Sequence, residues 1–416
     1  MGKLRLSGKE RRRLEVLTKV KRGDIRLTKA AELLSLSYRQ VLRIWERYER
    51  EGSVGLKHGL RDRPSNRRIE ACRRERVLEL YQGKYGDFGP TLAVEYLRKD
   101  DGEEVSEETL RRWLMAAGLW QARRQGARHR KWRERRAHWG EMVQMDGSEH
   151  DWFEGRRERA ALMVLIDDAT NWTYAKFFES ETTAAAMSVF GEYVGHYGLP
   201  RSLYVDRASI YETTRDSTVE EALQAVGPLT QFGRAMQELE VELILARSPQ
   251  AKGRVERRHG VFQDRFVKAL RLKKIDTLEG ANDYLVREFL QELNDRFSVA
   301  ARSEIDLHRP LGRGVRLEHV LSYQEERVVQ NDWTLSWSNR IFQLDDRHRK
   351  LSLARKKILV SELLDGTIRL TSRGENLRWI ELPERPAPAT RAANGPREKK
   401  SPYKPAASHP WRGRKR

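Results

Sequence analysis

Three acidic residues stand at positions where the local pattern gives no folding reason for an acid. Asp146 interrupts the strand-like segment VQMDGS, Asp206 ends the short apolar segment YVD, and Glu256 lies about one turn inside the basic helical segment GRVERRHG. Strand ends and helix starts converge at one edge of an α/β sheet, where sites form. We therefore expect these three carboxylates to meet.

Carboxylates that meet repel one another unless a cation joins them. Mg²⁺ prefers oxygen ligands and is usually held by one or two carboxylates, with waters and substrate phosphate completing its shell. Two such ions about 3.5–4 Å apart can activate an attacking oxygen and stabilise a leaving one. The acids Asp146, Asp206 and Glu256 therefore predict phosphoryl chemistry with two Mg²⁺ ions per site and Mn²⁺ as a substitute.

Each acid also has a plain structural interpretation. Asp146 could belong to a turn, Asp206 could cap a helix, and Glu256 could form a surface ion pair with Lys252 or Arg258. Asp167 and Asp168 also end a strand and are our second choice, because the sequence DDATN is typical of a hairpin turn. The chain has no GxxxxGK[ST] phosphate loop, so we expect no nucleotide cofactor.

The charge of the chain indicates a polyanionic partner. The formal net charge is +20 over 416 residues, yet residues 141–300 carry 20 basic and 27 acidic residues, so the remainder carries +27. Residues 121–140 hold eight basic residues and one acid, and the tail after Glu384 holds ten and one. An acidic centre with basic arms suits an enzyme that binds nucleic acid.

The N-terminal part predicts two all-α DNA-binding domains. Residues 27–34 and a helix from Ser37 read as a helix-turn-helix, in which Ser37 and Gln40 have capping-box spacing. Val41, Leu42 and Trp45 are expected in the core. Residues 89–100 and 105–120 are predicted to form the two helices of a second helix-turn-helix. Ser106 is the expected N-cap of the latter helix, and Gly118 is expected to end it. A helical hairpin with a solvated basic face is the alternative.

We expect double-stranded DNA to contact basic residues of these helices, of the linker after them and of the segment around Glu256. These residues are Arg39, Arg43, Arg47, Arg111, Arg112, Arg128, Arg130, Lys131, Lys252, Arg254, Arg257 and Arg258.

The rest of the chain predicts an α/β domain followed by a small β-barrel. The element order over residues 141–300 is β-β-β-α-β-α-β-α, which fits a mixed sheet covered by helices. Trp333, Leu335 and Trp337 alternate on one side of a strand, and Asp365-Gly366 is a favoured hairpin turn. The expected divisions are helix-turn-helix domains 1–58 and 69–120, a basic linker 121–140, the core 141–300, a helical linker 301–330, a barrel 331–383 and a disordered basic tail 384–416.

Several segments resemble bacterial insertion-sequence transposases with an integrase-like catalytic core, of the ISNCY type. They are DGSEHDWFEGR (146–156), LIDDAT (165–170), LYVDR (203–207), TQFGRAMQELEVELILARSPQAKGRVERRHGVFQDR (230–265) and HPWR (409–412). The resemblance covers roughly Lys9 to Pro310 well and the rest loosely. The gap between Asp206 and Glu256 is longer than in retroviral integrases, and residues 211–229 can hold the extra length.

The resemblance implies a ribonuclease-H-like fold and a catalytic trio of Asp146, Asp206 and Glu256. It also implies Mg²⁺-dependent DNA cleavage, in which water frees a 3′-hydroxyl that then attacks target DNA. The N-terminal helical domains would recognise the terminal inverted repeats of the element. Joining two ends implies a homodimer or a larger synaptic assembly.

Two other functions fit parts of the sequence. A non-catalytic helix-turn-helix regulator with an inactive core would bind DNA without cleaving it, and a structure-specific nuclease would cleave without joining. The single Cys72 and the absence of an apolar N-terminal stretch or membrane-length run favour a cytoplasmic, nucleoid-associated protein with no membrane partner.

Overall fold

The computed structural model describes residues 6–57, 69–122, 134–216, 227–246 and 253–383. The chain forms two compact units, Met1–Ala127 and Arg128–Arg416. In the described parts of both units, no helix is long and apolar enough to cross a bilayer.

The first unit begins with a three-helix bundle. Helices α1 (Gly8–Lys21), α2 (Leu27–Leu34) and α3 (Tyr38–Glu51) are followed by a 3₁₀ turn, Gly52–Leu56. The predicted helix-turn-helix is confirmed as α2 and α3, and the Ser37–Gln40 capping box is present. Ser35 adopts the left-handed conformation that ends α2.

The core of this bundle corrects one prediction. Val41 is fully buried and Trp45 packs against the core as expected, but Ile44, not Leu42, is the second buried residue of α3. The buried stripe therefore follows the i, i+3, i+4 spacing of a helix face.

A second helical group follows in the same unit. It contains α4 (Ala71–Lys84), α5 (Pro90–Asp100) and α6 (Glu107–Ala116). The predicted Ser106 cap is confirmed, because its hydroxyl accepts a hydrogen bond from the Thr109 amide, and Gly118 has a positive φ just after the helix. Helix α4 completes a group that the sequence analysis assigned to two helices.

The centre of the second unit is a five-stranded sheet. Its strands are β1 (Val143–His150), β2 (Ala160–Asp167), β3 (Thr173–Phe178), β4 (Ser202–Val205) and β5 (Glu242–Leu245). The spatial order is β3-β2-β1-β4-β5, with antiparallel pairing among the first three strands and parallel pairing of β1, β4 and β5.

Helices cover this sheet. Helix α7 (Thr183–Tyr197) packs on β2 and β3, α8 (Gln231–Glu238) on β5, and α9 (Gly253–Leu272) on β1 and β2. The predicted order of strands and helices is confirmed, and together with the mixed sheet it gives the expected ribonuclease-H-like arrangement. Strand β2 is buried along its whole length, as its continuous apolar run requires.

Further helices follow α9 before the chain becomes all-β. They are α10 (Leu278–Tyr284), a π-helical turn (Leu285–Phe289), α11 (Leu290–Phe297) and the one-turn α12 (Leu317–Val320). The structure corrects the predicted helical linker 301–330, since its residues 322–328 form strand β6 (Ser322–Val328), which pairs with β9.

The C-terminal all-β region consists of two sheets around one core. The first sheet has the order β11 (Glu375–Leu377), β10 (Ile368–Ser372), β9 (Lys357–Leu363) and β6. The second sheet has the order β12 (Trp379–Leu382), β8 (Arg340–Leu344) and β7 (Thr334–Trp337). The Asp365-Gly366 hairpin joins β9 and β10 as predicted. Strand pairing within residues 322–382 does not close one barrel; the sheets share buried side chains instead.

Candidate active site

Strands β1 and β4 bring Asp146 and Asp206 to one place. The parallel register pairs Val143 with Leu203 and Gln144 with Tyr204, an offset of 60 residues. Continued two residues beyond this pairing, past the end of β4 at Val205, the same offset brings Asp206 level with Asp146. Side chains in register on neighbouring parallel strands face the same side, and such strands lie about 4.8 Å apart. Both side chains are half-buried, and the Asp206 carboxylate accepts a hydrogen bond from the Ala208 amide at 2.9 Å.

Helix α9 lies along the same side of β1. Its His259 Nε2 is 3.5 Å from Asp146 Oδ2, and one turn later Gln263 Nε2 donates to Ser148 Oγ at 3.4 Å. Glu256 lies one turn before His259, at the i, i+3 spacing that places two side chains on one helix face. Glu256 itself is exposed.

The basic residues near Glu256 divide between two faces of α9. At about 100° per residue, Arg254 projects from nearly the opposite side of the helix to Glu256, His259 and Gln263, and Arg258 lies about 40° from Arg254. The contacts of both arginines agree with this: Arg254 pairs with Asp168 at 2.7 Å, and Arg258 donates to the Asn171 carbonyl at 3.1 Å. These two cations therefore face the turn between β2 and β3, not the side of Asp146.

Arg254 and Arg258, two of the predicted DNA contacts, are both engaged inside the domain. Arg254 is largely buried against Asp168, which is fully buried, and Arg258 is only 4% exposed and lies over the Phe297 ring. Burial lowers the pKa of the Arg258 guanidinium to about 10. Both arginines join α9 to the body of the domain.

A cavity of about 220 Å³ opens on this face of α9. Its lining includes Arg135, Arg254, Arg257 and Arg258 together with Asn171 and Phe297. Arg257 is exposed there, and its Nε donates to the Gly253 carbonyl of its own helix. Of the predicted DNA contacts on α9 that the structure describes, Arg257 is the one whose position suits a surface contact.

Asp167 and Asp168 were our second choice for the acidic site. In the structure their carboxylates accept hydrogen bonds from neighbouring segments of the same domain. Asp167 accepts hydrogen bonds from Gly140 and Thr170, and Asp168 from Arg136, Gln144 and Arg254. Burial raises the pKa of Asp167, although the hydrogen bonds from Thr170 and Gly140 oppose the rise. The predicted hairpin turn is confirmed, because residues 168–172 connect β2 to β3.

Three residues near Asp146 were not predicted from the sequence. They are His259, already described, and Glu181 and Tyr211. The carboxylate of Glu181 occupies the space that a side chain at Gly147 would fill, since an ideal Cβ there would be 2.2 Å from Glu181 Oε2. The direct neighbour of Asp146 is therefore a glycine that leaves room for a further acid. The DGS motif was the available signal, but a single sequence does not say what fills the space.

Tyr211 lies in the same region. Burial raises the pKa of its phenol well above its ordinary value, and the nearby charges that add to this rise are Glu181, Asp206 and Asp146. The Tyr211 ring is buried against Phe232, and its hydroxyl has no hydrogen-bond partner among the described residues.

The donor set fits a divalent cation with two direct carboxylates. Asp146 on β1 and Asp206 just after β4 both act on the pKa of Tyr211, whose hydroxyl is buried without a partner in the described chain. Mg²⁺ commonly takes one or two carboxylates and completes its shell with water and phosphate. The described residues contain no group of three or more histidine, cysteine, aspartate or glutamate side chains placed to hold a metal.

The residues of the first unit that we predicted to contact DNA differ in their exposure and in their ion pairs. Arg39 and Arg43 are exposed on α3 and Arg47 is half-buried. On α6, Arg111 pairs with Glu107 and Glu108, and Arg112 lies 3.9 Å from Glu108. The charges of Arg111 and Arg112 are thus partly neutralised within their own helix.

Four of the predicted contacts, the predicted basic tail and part of the basic linker lie outside the described residues. These contacts are Arg128, Arg130, Lys131 and Lys252.

The chain is similar to several known proteins. Residues 12–66 match a family model described as a helix-turn-helix domain. The protein y4bF of Sinorhizobium fredii, designated a transposase, is 38% identical over 381 residues, covering 91% of this chain and 82% of that protein. The transposase for insertion sequence IS1202 of Streptococcus pneumoniae is 27% identical over 444 residues, covering 97% and 93%.

Solved retroviral structures are more distant. The HTLV-2 integrase catalytic core domain in complex with magnesium is 15% identical, with a TM-score of 0.28 over 37% of this chain and 90% of that one. A simian T-cell lymphotropic virus intasome is 12% identical, with a TM-score of 0.30 over 74% and 100%. Because these scores are low, the assignment rests on the two relatives matched along most of their length. The chain belongs to the transposases, the family of these two bacterial relatives, and carries a helix-turn-helix domain within residues 12–66.

Proposed function

We propose that this transposase cleaves the 3′ ends of its element and joins them to target DNA at a site formed by Asp146, Asp206 and Glu256. The observation that supports the site best is the parallel pairing of β1, which carries Asp146, with β4, which Asp206 directly follows. Glu256 supplies a third carboxylate from α9, the helix that contacts Asp146 through His259.

The proposed cofactor is Mg²⁺ or Mn²⁺, two ions per site, held by Asp146 and Asp206 with Glu256. When bound, such ions activate the attacking oxygen and stabilise the leaving oxygen of a phosphodiester. The chain's own part is to fix the two aspartates by strand pairing and to set α9 beside them, so that little rearrangement is needed when the substrate binds.

The proposed partner is double-stranded DNA. Arg39, Arg43 and Arg47 recur every four residues on α3, the second helix of the helix-turn-helix, a helix that enters the major groove in such motifs. Arg257, which is exposed and follows Glu256 in α9, would neutralise a backbone phosphate. Recognition of the terminal inverted repeats, a dimeric or larger synaptic assembly and a place at the nucleoid belong to the same proposal.

The test is incubation of the full chain with labelled DNA carrying the ends of its element and Mg²⁺, scoring nicked and joined products separately. Asp146→Asn should bind the ends as well as the wild type but form neither product. Glu149→Gln, an exposed acid on the same strand, is the matched control and should remain active.

Each other result has a definite meaning. Retained joining by Asp146→Asn would overturn the proposed site. Nicking without joining by the wild type would indicate a nuclease. DNA binding without either product, in Mg²⁺ and in Mn²⁺, would indicate a regulator with an inactive core.

A further inference from the structure

The cavity of about 220 Å³ beside α9 concentrates positive charge. Four of the eight described residues that line it are arginines, and none of the eight is an acid. Arg254, Arg257 and Arg258 project from α9 within an arc of about 100°, whose middle lies roughly opposite Glu256. The fourth arginine, Arg135, comes from the segment before β1. The cavity is therefore a charged feature of the core that the proposed catalytic acids do not share.

Only one of these four arginines has a carboxylate partner in the described chain. Arg254 pairs with the buried Asp168. Arg135, Arg257 and Arg258 donate instead to backbone carbonyls, at 3.3, 2.8 and 3.1 Å respectively. A carbonyl accepts a hydrogen bond but carries no net charge. Within the described residues, three positive charges at the cavity are therefore not balanced by an ion pair.

Arg258 is the most informative of the three. It is only 4% exposed, and its Nη1 is buried without a hydrogen-bond acceptor in the described chain. Its guanidinium lies over the Phe297 ring, 5.4 Å from the centroid. Burying a cation is unfavourable unless an opposite charge and good hydrogen bonds compensate for the lost water. An anion in the adjacent cavity would supply the charge that the described part of the chain does not.

We propose that this cavity is a binding site for an oxoanion of the phosphate class, separate from the acidic site. Guanidinium groups match phosphate oxygens in planar, two-point hydrogen bonds, and a phosphate can accept from several arginines at once. Arg135 and the exposed Arg257 are placed to contact the anion, and Arg258 holds its charge behind them. A cavity of this size can hold several waters, and therefore a phosphate ion.

The same chemistry would bind inorganic phosphate or a phosphate of a DNA strand. The inference does not depend on the catalytic proposal, because it uses none of Asp146, Asp206 and Glu256. Asp146→Asn should therefore bind phosphate as the wild type does, whether or not that variant has lost cleavage and joining.

The experiment is calorimetric titration of the full chain with inorganic phosphate, in EDTA and at an ionic strength held constant with chloride. EDTA removes divalent ions, so that phosphate cannot bind through a metal. The wild type should bind phosphate saturably, and Arg258→Met should weaken this binding about tenfold, as expected for loss of a buried charge at the site. Arg265→Met is the matched control and should bind as the wild type does. Arg265 lies on the same helix and over the same ring, at 5.3 Å, but is not among the described residues that line the cavity.

Thermal melting provides a second readout. In chloride, Arg258→Met should melt no lower than the wild type, because it removes a buried cation that has no counter-ion in the described chain. In phosphate, the wild type and Arg265→Met should gain more in melting temperature than Arg258→Met. The gain of Arg258→Met measures the general stabilisation of folded proteins by phosphate, and the difference measures binding at the cavity.

A fluorescent DNA duplex distinguishes the two sources of phosphate. If a DNA strand supplies it, inorganic phosphate at constant ionic strength should weaken duplex binding by the wild type but not by Arg258→Met. If the ligand is free phosphate, the duplex and phosphate should bind together without competition. Either result supports the site.

Equal phosphate binding by the wild type and Arg258→Met, or binding that does not saturate, would overturn the inference. If Arg258→Met fails to fold, Arg257→Met takes its place, because Arg257 is exposed and its loss should not disturb the core. Phosphate binding that Arg257→Met leaves unchanged would then be equally decisive against the site.

Discussion

Parallel pairing of β1 with β4 brings Asp146 and Asp206 near each other, although 60 residues separate them in the chain. Asp146 lies within β1, and Asp206 directly follows the last residue of β4. Pairing of β1 with β4 thus fixes two negative charges side by side. Folding of this sheet and assembly of the proposed cation site are therefore one event.

The first prediction concerns removal of the metal. Asp206→Asn should melt at the same or a higher temperature than the wild type in EDTA. The change relieves repulsion between the carboxylates of residues 146 and 206, and it keeps the oxygen atom that accepts the hydrogen bond from the Ala208 amide. In Mg²⁺ at about 100 times its dissociation constant the wild type should gain about 2.7 kcal/mol, and the variant should gain much less. Thermal melting in EDTA and in Mg²⁺ measures both effects.

Asp264→Asn is the control for this prediction. Asp264 is exposed on α9 and pairs with Lys268 on the same helix, so its loss should leave the Mg²⁺ effect intact. An Asp206→Asn protein that Mg²⁺ stabilises as much as the wild type would contradict the assignment of Asp206 to the cation site.

The sequence predicted the elements of the core but not the register between them. The order of strands and helices follows from apolar runs, turn residues and caps, which act locally and can be read from the chain. The match of Asp146 with Asp206 depends on how β1 and β4 pair, and no local pattern specifies an offset of 60 residues. The sequence allowed the prediction that both acids lie at one sheet edge, whereas the offset between β1 and β4 could be known only from the structure.

The basic residues of α9 show a second limit of the sequence. Arg254, Arg257 and Arg258 looked equivalent because cations near a predicted active site suit phosphate binding. Whether each of these arginines is buried or exposed depends on which face of the helix meets the β2–β3 turn, where Asp168 is buried. Glu181 was missed for a related reason, since its proximity to Gly147 arises from the packing of α7 and not from any spacing in the chain.

The second prediction tests the structural role of Arg254. Arg254→Met should reduce the stability of the core by about 3–5 kcal/mol, because it leaves the buried Asp168 without its cation. Arg257→Met, an exposed neighbour on the same helix, should change stability by no more than about 0.5 kcal/mol. Urea unfolding followed by the fluorescence of the core tryptophans measures the difference.

The two variants should also differ in DNA binding. At a temperature where both are folded, Arg257→Met should weaken binding and Arg254→Met should not. Normal stability of Arg254→Met together with weak DNA binding would restore Arg254 as a DNA contact.

The third prediction concerns pH and the second helical group. Hydrogen bonds from Lys84 and Tyr85 lower the pKa of Asp101, although desolvation, its largest single influence, acts in the opposite direction. Because the folded-state pKa is depressed, Asp101 contributes stability above its unfolded pKa and loses it as the pH falls through the folded value. Asp101→Asn should therefore destabilise α4–α6 at pH 7 but have a smaller effect at pH 3.

Hydrogen exchange of the amides in α4–α6, compared between wild type and variant at each pH, measures this difference locally. Intrinsic exchange rates cancel in a comparison at one pH. Asp100→Asn is the neighbouring control, since Asp100 is exposed at the end of α5. A pH-independent effect of Asp101→Asn would show that shape, not charge, accounts for its contribution.

The last prediction concerns α3 and the salt dependence of DNA binding. Arg39 and Arg43 are exposed on one face of this helix, whereas Arg50 near its end pairs with Glu51 at 2.7 Å. If Arg39 or Arg43 contacts a phosphate, its replacement by alanine should lower the slope of log K against log salt by about one, and Arg50→Ala should change the slope little.

If Arg39 or Arg43 contacts a base, its replacement should instead weaken binding to the element ends by about 1–3 kcal/mol and leave binding to unrelated DNA unchanged. Binding measured at several salt concentrations on both DNAs distinguishes the two roles, and unchanged binding by the Arg39→Ala, Arg43→Ala double variant would remove α3 from the DNA interface.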